Sequence, residues 1–180
     1  MKYNPAIHHR RSIRLKGYDY AQEGAYFVTL CSHRRELLFG EIIKERIRLS
    51  EMGEIVRDEW LRTMEVRKNV DMDAFIVMPD HLHGIILITD QLVRATRRVA
   101  PTRRGPELRS GSLGAIIGQF KSVSAKRVNK YRRTSGNAVW QRNYYEHIIR
   151  DEGDLNRIRG YILNNPLQWF YEKDRSFPPQ

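Results

Sequence analysis

Two histidines separated by one residue, His81-Leu82-His83, are the sharpest chemical feature of the chain. Side chains alternate across an extended strand, so residues i and i+2 project from one face and the residue between them from the other. The pattern sets two imidazoles side by side and turns Leu82 toward a core. Two neutral imidazoles are half of a metal site, which a nearby oxygen ligand would complete with positions left open for substrate. The same spacing serves a purely structural pair equally well, and with six histidines in the chain a chance repeat is unremarkable. Further along, Tyr161 and Asn165 lie four residues apart, which stacks them one turn apart on a helix face beside the stripe Leu155, Ile158 and Ile162. A phenol and an amide at the rim of a packed face lean toward whatever the helix covers. Tyrosine is one of the side chains able to form a covalent intermediate; an ordinary rim tyrosine fits the same spacing.

The elements that must carry these residues follow from periodicity. Residues 25–33, rich in aromatic and β-branched side chains after the turn-like Gln22-Glu23-Gly24, read as a first strand, and residues 39–49 as a pair of short strands. Ser50 is an N-cap for a helix reaching about Val66, with Ile55, Trp60, Leu61 and Met64 at near-helical spacing. Residues 74–78 and 81–89 read as strands that the turn Pro79-Asp80 makes antiparallel neighbours. Leu113, Ile116, Ile117, Phe120 and Val128 share one helical face, with Lys126, Lys130 and Arg133 opposite. Residues 139–149 suggest a further strand and residues 154–164 a last helix, stopped by Pro166 because the residue before a proline disfavours helical geometry. The expected fold is α+β, an antiparallel sheet with helices packed on one face.

Composition bounds the function. The chain has 180 residues, about one domain, with 41% hydrophobic and 29% charged residues and no apolar run long enough for a membrane span. A basic arm (1–16), one domain (17–170) holding a basic loop insertion (91–111), and a tail (171–180) are expected. The first 16 residues lack the apolar block of a secretory signal, so a cytoplasmic, nucleoid-associated protein with no membrane partner is expected. The lone Cys31 excludes an internal disulfide and a cysteine-based zinc site. Net charge is +11 and the sequence pI is near 10.0, the footprint of a nucleic-acid binder. Thirteen basic residues against one acid, Glu107, lie between Gln91 and Asn143, so that segment carries +12 and the remainder −1. Segregation of this kind points to a polyanion.

Three motifs in order carry a family resemblance. Val77-Met78-Pro79-Asp80-His81-Leu82-His83-Gly84, then Trp140-Gln141-Arg142-Asn143-Tyr144-Tyr145-Glu146-His147, then Gly160-Tyr161-Ile162-Leu163-Asn164-Asn165-Pro166 resemble the REP-associated tyrosine transposases, within the wider HUH class of single-strand transposases. The match in motif order runs from about Gly17 to Trp169, nearly the whole chain. The resemblance implies a ferredoxin-like, RRM-like core and a metal-dependent single-stranded DNA endonuclease and strand transferase. It makes His81 and His83 the metal-binding pair, Asn165 the third ligand where related enzymes often carry glutamine, Mg²⁺ or Mn²⁺ the cofactor, and Tyr161 the nucleophile that forms a 5′-phosphotyrosine.

The implied substrate is single-stranded DNA carrying an imperfect palindromic hairpin. Arg97, Arg98, Arg103 and Arg104 are then expected on stem phosphates, Lys121, Lys126 and Lys130 along the backbone path, and Arg142 among the DNA-binding residues. Tyr144 and Tyr145, adjacent on a strand and so on opposite faces, are expected to pack or stack rather than attack. The resemblance allows a monomer or a homodimer. The alternative is a catalytically silent RRM-like DNA- or RNA-binding module whose two histidines are structural.

Overall fold

The computed structural model describes residue 15, residues 17–89 and residues 111–174. The expected arm and the basic loop, with Arg97, Arg98, Arg103 and Arg104, lie outside the described residues apart from Leu15 and Gly111. The elements run β1 (Gly24–Cys31), β2 (Gly40–Ile43), β3 (Arg46–Leu49), α1 (Glu51–Val66), β4 (Val70–Met78), β5 (His81–Ile88), α2 (Leu113–Arg132), β6 (Tyr145–Ile149) and α3 (Glu152–Asp174). Four strands pair antiparallel in the order β4-β5-β1-β6, and β2-β3 form a separate hairpin. With α1 between β1 and β4 and α2 between β5 and β6, this is the β-α-β-β-α-β ferredoxin-like arrangement.

Local chemistry accounts for the elements. Ser50 Oγ accepts from the Gly53 N–H at 3.2 Å, and Ser112 Oγ from that of Ala115 at 3.3 Å, so both core helices begin on the side-chain caps their first orphan donors require. The β2-β3 turn places Lys44 and Glu45 at positive φ without a glycine, matching the twist of the flanking strands. Along β1 and β5 the alternation divides two cores. Tyr26, Val28, Leu30, Leu82 and Ile86 meet Trp60 of α1 and Ile116, Ile117 and Phe120 of α2 on one face. Phe27 and Ile85 meet Ile158 and Ile162 of α3 on the other.

Three expectations are corrected here. The helices do not share one face, because α3 crosses the face opposite α1 and α2, where its stripe covers a second apolar surface. Pro166 does not stop α3, which continues to Asp174 and so past the expected end of the domain. The missing N–H costs a helix about 3 kcal/mol; here Pro166 is buried, Trp169 packs against His81 with ring centroids 5.6 Å apart, and the Tyr171 hydroxyl donates to Glu45 Oε1 at 3.1 Å. Tertiary contacts beyond the proline outweigh the local preference. Nor is 139–149 one strand: Trp140 bridges Ser32, and the ladder starts only at Tyr145. Between them, the Gln141 N–H donates to the Cys31 carbonyl at the end of β1, and Lys121 Nζ donates to the carbonyls of Gln141 and Asn143, all at 2.9 Å, so that stretch is held by α2 as well as by the strand end.

Gly84, the residue after the histidine pair, is where α1 closes on the sheet: a Cβ there would lie 2.4 Å from the Trp60 ring. Trp60 is fully buried and has nowhere to move. Gly84→Ala is expected to lower stability by roughly 1–3 kcal/mol through overpacking, read as a lower urea midpoint with unchanged slope; an unshifted midpoint would contradict this packing.

Candidate active site

The site lies at the end of the sheet where β4 turns into β5. That turn is held from outside: the Asp80 carbonyl accepts from the Ser32 N–H and the Pro79 carbonyl from that of Phe39, both at 2.8 Å. His81 pairs with Cys31 and Met78, and His83 with Thr29 and Ile76, so both histidines sit on fully laddered backbone. As the alternation requires, both imidazoles face α3 while Leu82 enters the opposite core. The two histidines are 4% and 5% exposed, so every polar atom they carry must be satisfied nearby.

Each imidazole is oriented through Nδ1. That of His81 donates to Asp80 Oδ1 at 2.6 Å, and the other Asp80 oxygen accepts from Arg35 Nε at 2.9 Å. That of His83 lies 2.8 Å from Thr29 Oγ1, and Phe27 stacks on the ring at 5.4 Å. The two Nε2 atoms converge, 3.0 Å apart. Asp80 fixes His81 as the Nδ1–H tautomer, leaving its Nε2 lone pair free. His83 Nε2–H then donates to that lone pair while Thr29 donates to His83 Nδ1. A hydroxyl donates or accepts with equal ease, so the same Thr29 also supports the other tautomer of His83, in which both Nε2 lone pairs face the cleft.

Tyr161 closes the site from α3. Its hydroxyl is 3.3 Å from His83 Nε2, its ring is edge-on to Phe27 at 6.0 Å, and at 41% exposed it is open to a substrate. Buried Asn165 lines the same cleft one turn on, with Gln168 and Trp169 beyond it. The cleft holds about 890 Å³, enough for a nucleotide-sized group. The helix is pinned by Ile158 and Ile162 and by Arg159, whose Nε donates at 2.8 Å to Asp73 Oδ1 at the β4 bulge. That ion pair holds the Asp73 carboxyl below its ordinary value.

The arrangement could hold a divalent cation. Both imidazole Nδ1 atoms are engaged in the outer hydrogen bonds that metal-binding histidines use. Two nitrogens bound cis on an octahedral ion, each about 2.1 Å from it, stand about 3 Å apart, as the two Nε2 atoms do. Among the described residues no group of three His, Cys, Asp or Glu gathers, and the Asn165 amide in the same cleft is an oxygen donor that could join the two imidazoles.

The other predicted residues separate. Lys126, Lys130 and Arg142 are exposed. The Lys121 ammonium is held by two carbonyls and lies against the Tyr144 ring, and burial pushes its pKa down to about 8. Tyr145 lines the cleft edge-on to Phe27, and His147 Nε2 lies 2.7 Å from Asp154 Oδ2. Sequence reasoning passed over Thr29, Phe27, Arg35, Asp80 and Trp169. Asp80 and Thr29 had a signal, since one precedes the histidine pair and the other faces it across the ladder.

The fold is one that a known transposase shares. A solved structure of a REP-associated tyrosine transposase bound to a REP hairpin superposes with a TM-score of 0.57 at 19% identity, covering 87% of this chain and 74% of that one, a likeness of fold. No family model matches the chain. An uncharacterized Haemophilus influenzae protein is 41% identical over 181 residues, 98% of this chain and 97% of its own length. A second protein of that organism, assigned as a REP-associated tyrosine transposase, is 24% identical over 153 residues, 85% of this chain and 76% of its own. In sequence and in fold the chain is thus similar to REP-associated tyrosine transposases.

Burial, followed by the neighbouring His81 and Arg35, pushes the His83 pKa down to about 3. An unfolded histidine titrates near 6.5. Between these values the unfolded chain binds a proton that the folded chain refuses, so this contribution to stability is complete above about pH 6.5 and is lost as pH falls toward 3. In chelator, wild type is expected to lose urea resistance relative to His83→Gln as pH is lowered from 7 to 4. Parallel pH profiles would contradict the buried neutral imidazole.

Proposed function

We propose that this protein is a metal-dependent DNA strand transferase that cleaves single-stranded DNA beside a palindromic hairpin through Tyr161. The observation that carries the reading is the exposed Tyr161 hydroxyl 3.3 Å from His83 Nε2, in a cleft that also presents His81 and Asn165. The class of substrate is taken from the likeness of fold to a solved protein described as bound to a REP hairpin. The net charge of +11 suits such a polyanion.

His81, His83 and Asn165 would hold the cation, Mg²⁺ or Mn²⁺, which when bound supplies Lewis-acid neutralisation of phosphate charge. The chain's own residues do the rest. Phe27 and Trp169 flank the imidazoles, and α3 holds the phenol at a fixed height above them. Tyr161 Oη forms a bond to phosphorus, the bond from phosphorus to O3′ breaks, and its electron pair leaves on O3′. The proton the phenol loses is matched by the one the 3′-hydroxyl gains. The product is a 5′-phosphotyrosine and a free 3′-hydroxyl, and attack by a 3′-hydroxyl reverses the step or joins a new end. Bond energy is kept in the covalent intermediate, so no nucleotide cofactor is required.

The test is a denaturing gel of protein incubated with a 3′-labelled strand bearing the hairpin found near the gene. A labelled protein band is expected for wild type with Mn²⁺, absent with chelator and absent in Tyr161→Phe. Tight binding without cleavage or adduct would favour the silent binding module, and an adduct persisting in Tyr161→Phe would move the nucleophile to another tyrosine. Thr29→Val removes the hydroxyl that orients His83, and is expected to weaken Mn²⁺ binding 10–100-fold by calorimetric titration; unchanged affinity would remove His83 from the metal site.

A further inference from the structure

Arg35 is the cation nearest to the histidine pair in the hydrogen-bond chain, and nothing in the proposed reaction has yet used it. It ends the short turn His33–Arg35 after β1, where two successive residues with side chains, Arg34 at φ 55° and Arg35 at φ 59°, occupy the left-handed region. That conformation is unfavourable for any residue carrying a Cβ and persists only where surroundings impose it. Here they do: Ser32 Oγ donates to the Glu36 carbonyl at 2.8 Å, and the Arg35 N–H donates to the Ser32 carbonyl at 3.2 Å.

The result is a guanidinium held in place at the cleft wall. Nε donates to Asp80 Oδ2 at 2.9 Å and Nη1 lies 2.9 Å from Cys31 Sγ. Because Asp80 Oδ1 accepts from His81 Nδ1, the chain Arg35, Asp80, His81 fixes the guanidinium relative to the imidazoles. The side chain is 48% exposed, and its remaining N–H groups are free to meet a ligand in the cleft it lines. Among the described residues no carboxylate lines that cleft, and the Asp80 carboxylate behind it already serves two donors. Arg157, the other guanidinium on the wall, is paired with Asp154.

We propose that Arg35 is a catalytic residue that clamps the scissile phosphate and neutralises the charge that grows on its non-bridging oxygens as Tyr161 attacks. This inference rests on the strand-transfer reading above. Arg35 moves no proton; the bonds made and broken are those at phosphorus already described. A planar guanidinium suits the task because it offers paired N–H donors to two phosphate oxygens and never deprotonates. Donors fixed before the reaction, aimed where charge develops, typically contribute 10²–10³-fold to rate.

The experiment first maps the bond that wild type cleaves with Mn²⁺ in the hairpin strand, then compares wild type, Arg35→Ala, Arg35→Lys and Asp80→Asn on two substrates. One is the native strand; the other carries a single methylphosphonate, which is neutral, at the mapped bond. On the native strand Arg35→Ala is expected to cleave about 100-fold more slowly, with hairpin affinity within three-fold of wild type. On the methylphosphonate that deficit should shrink below about five-fold, because a residue that offsets charge is dispensable where the charge is gone. Arg35→Lys, which keeps one charge and the fold, should show a smaller deficit with the same rescue. The Asp80→Asn deficit should persist on both substrates, since it acts through His81 orientation. Native-strand cleavage by Arg35→Ala within three-fold of wild type overturns the proposal. So does a deficit equal on both substrates, which would make Arg35 a support for Asp80 alone. Failure of wild type to cleave at all would instead remove the strand-transfer reading, and this inference with it.

Discussion

Strand β5 is laddered on both edges, to β1 from His81 through Ile88 and to β4 from Met78 back to Val70, and the site depends on that register. A slip by one residue would turn His81 and His83 into the core beneath α1 and α2 and expel Leu82 and Ile86 into the cleft. Burying each of those aliphatic side chains contributes about 1.5–3 kcal/mol, whereas imidazoles buried with their hydrogen bonds made lose little. The hydrophobic face therefore holds the histidines in position, and Gly84 lets the Trp60 ring approach closely enough to complete it. The neutrality of His83 follows from the same burial that locks the strand.

Much of this was legible in the residues. Strict alternation around His81-Leu82-His83, the Pro79-Asp80 turn and the cap Ser50 are local signals, and the structure follows each of them. What sequence could not supply is what tertiary contact decides. Pro166 reads as a stop because the local rule is sound, yet the packing of Trp169 on His81 and of Tyr171 on Glu45 lies more than 80 residues away in the chain and overrides it. Lys121 looks like any helix-surface lysine until the stretch before β6 folds back over it and offers two carbonyls. Arg35 was hidden for a different reason: its neighbour Arg34 is of the same type, and only the left-handed turn decides which of the two faces the cleft.

The charge of the site is built at two ranges. Near the reacting atoms, Asp80 is held between Arg35 and His81, so the one buried carboxylate there orients donors without making the cleft hostile to phosphate. Farther out, the exposed Lys126, Lys130 and Arg142 belong to the segment that carries the chain's excess of positive charge. Charges at the second range act through a screened field with a reach of about 8–10 Å; Arg35 acts by contact. Salt therefore weakens the outer layer far more than the inner one.

Helix α3 couples the two halves of the chemistry. Tyr161 and Asn165 are one turn apart, and between them Ile162 is fully buried against Phe27 and Ile85. Lifting the phenol away from His83 by moving the helix would expose that side chain, at a cost of about 1.5–3 kcal/mol, and would break the Arg159 pair with Asp73. The Tyr161 phenol and the Asn165 amide therefore hold a fixed spacing and move together or not at all. Passage of the helix through Pro166 extends the constraint, because the turn beyond it places Trp169 over His81 and anchors Tyr171 to the β2-β3 hairpin. A helix stopped at the proline would hold Tyr161 from one end only, so continuing through it gives the phenol support on both sides.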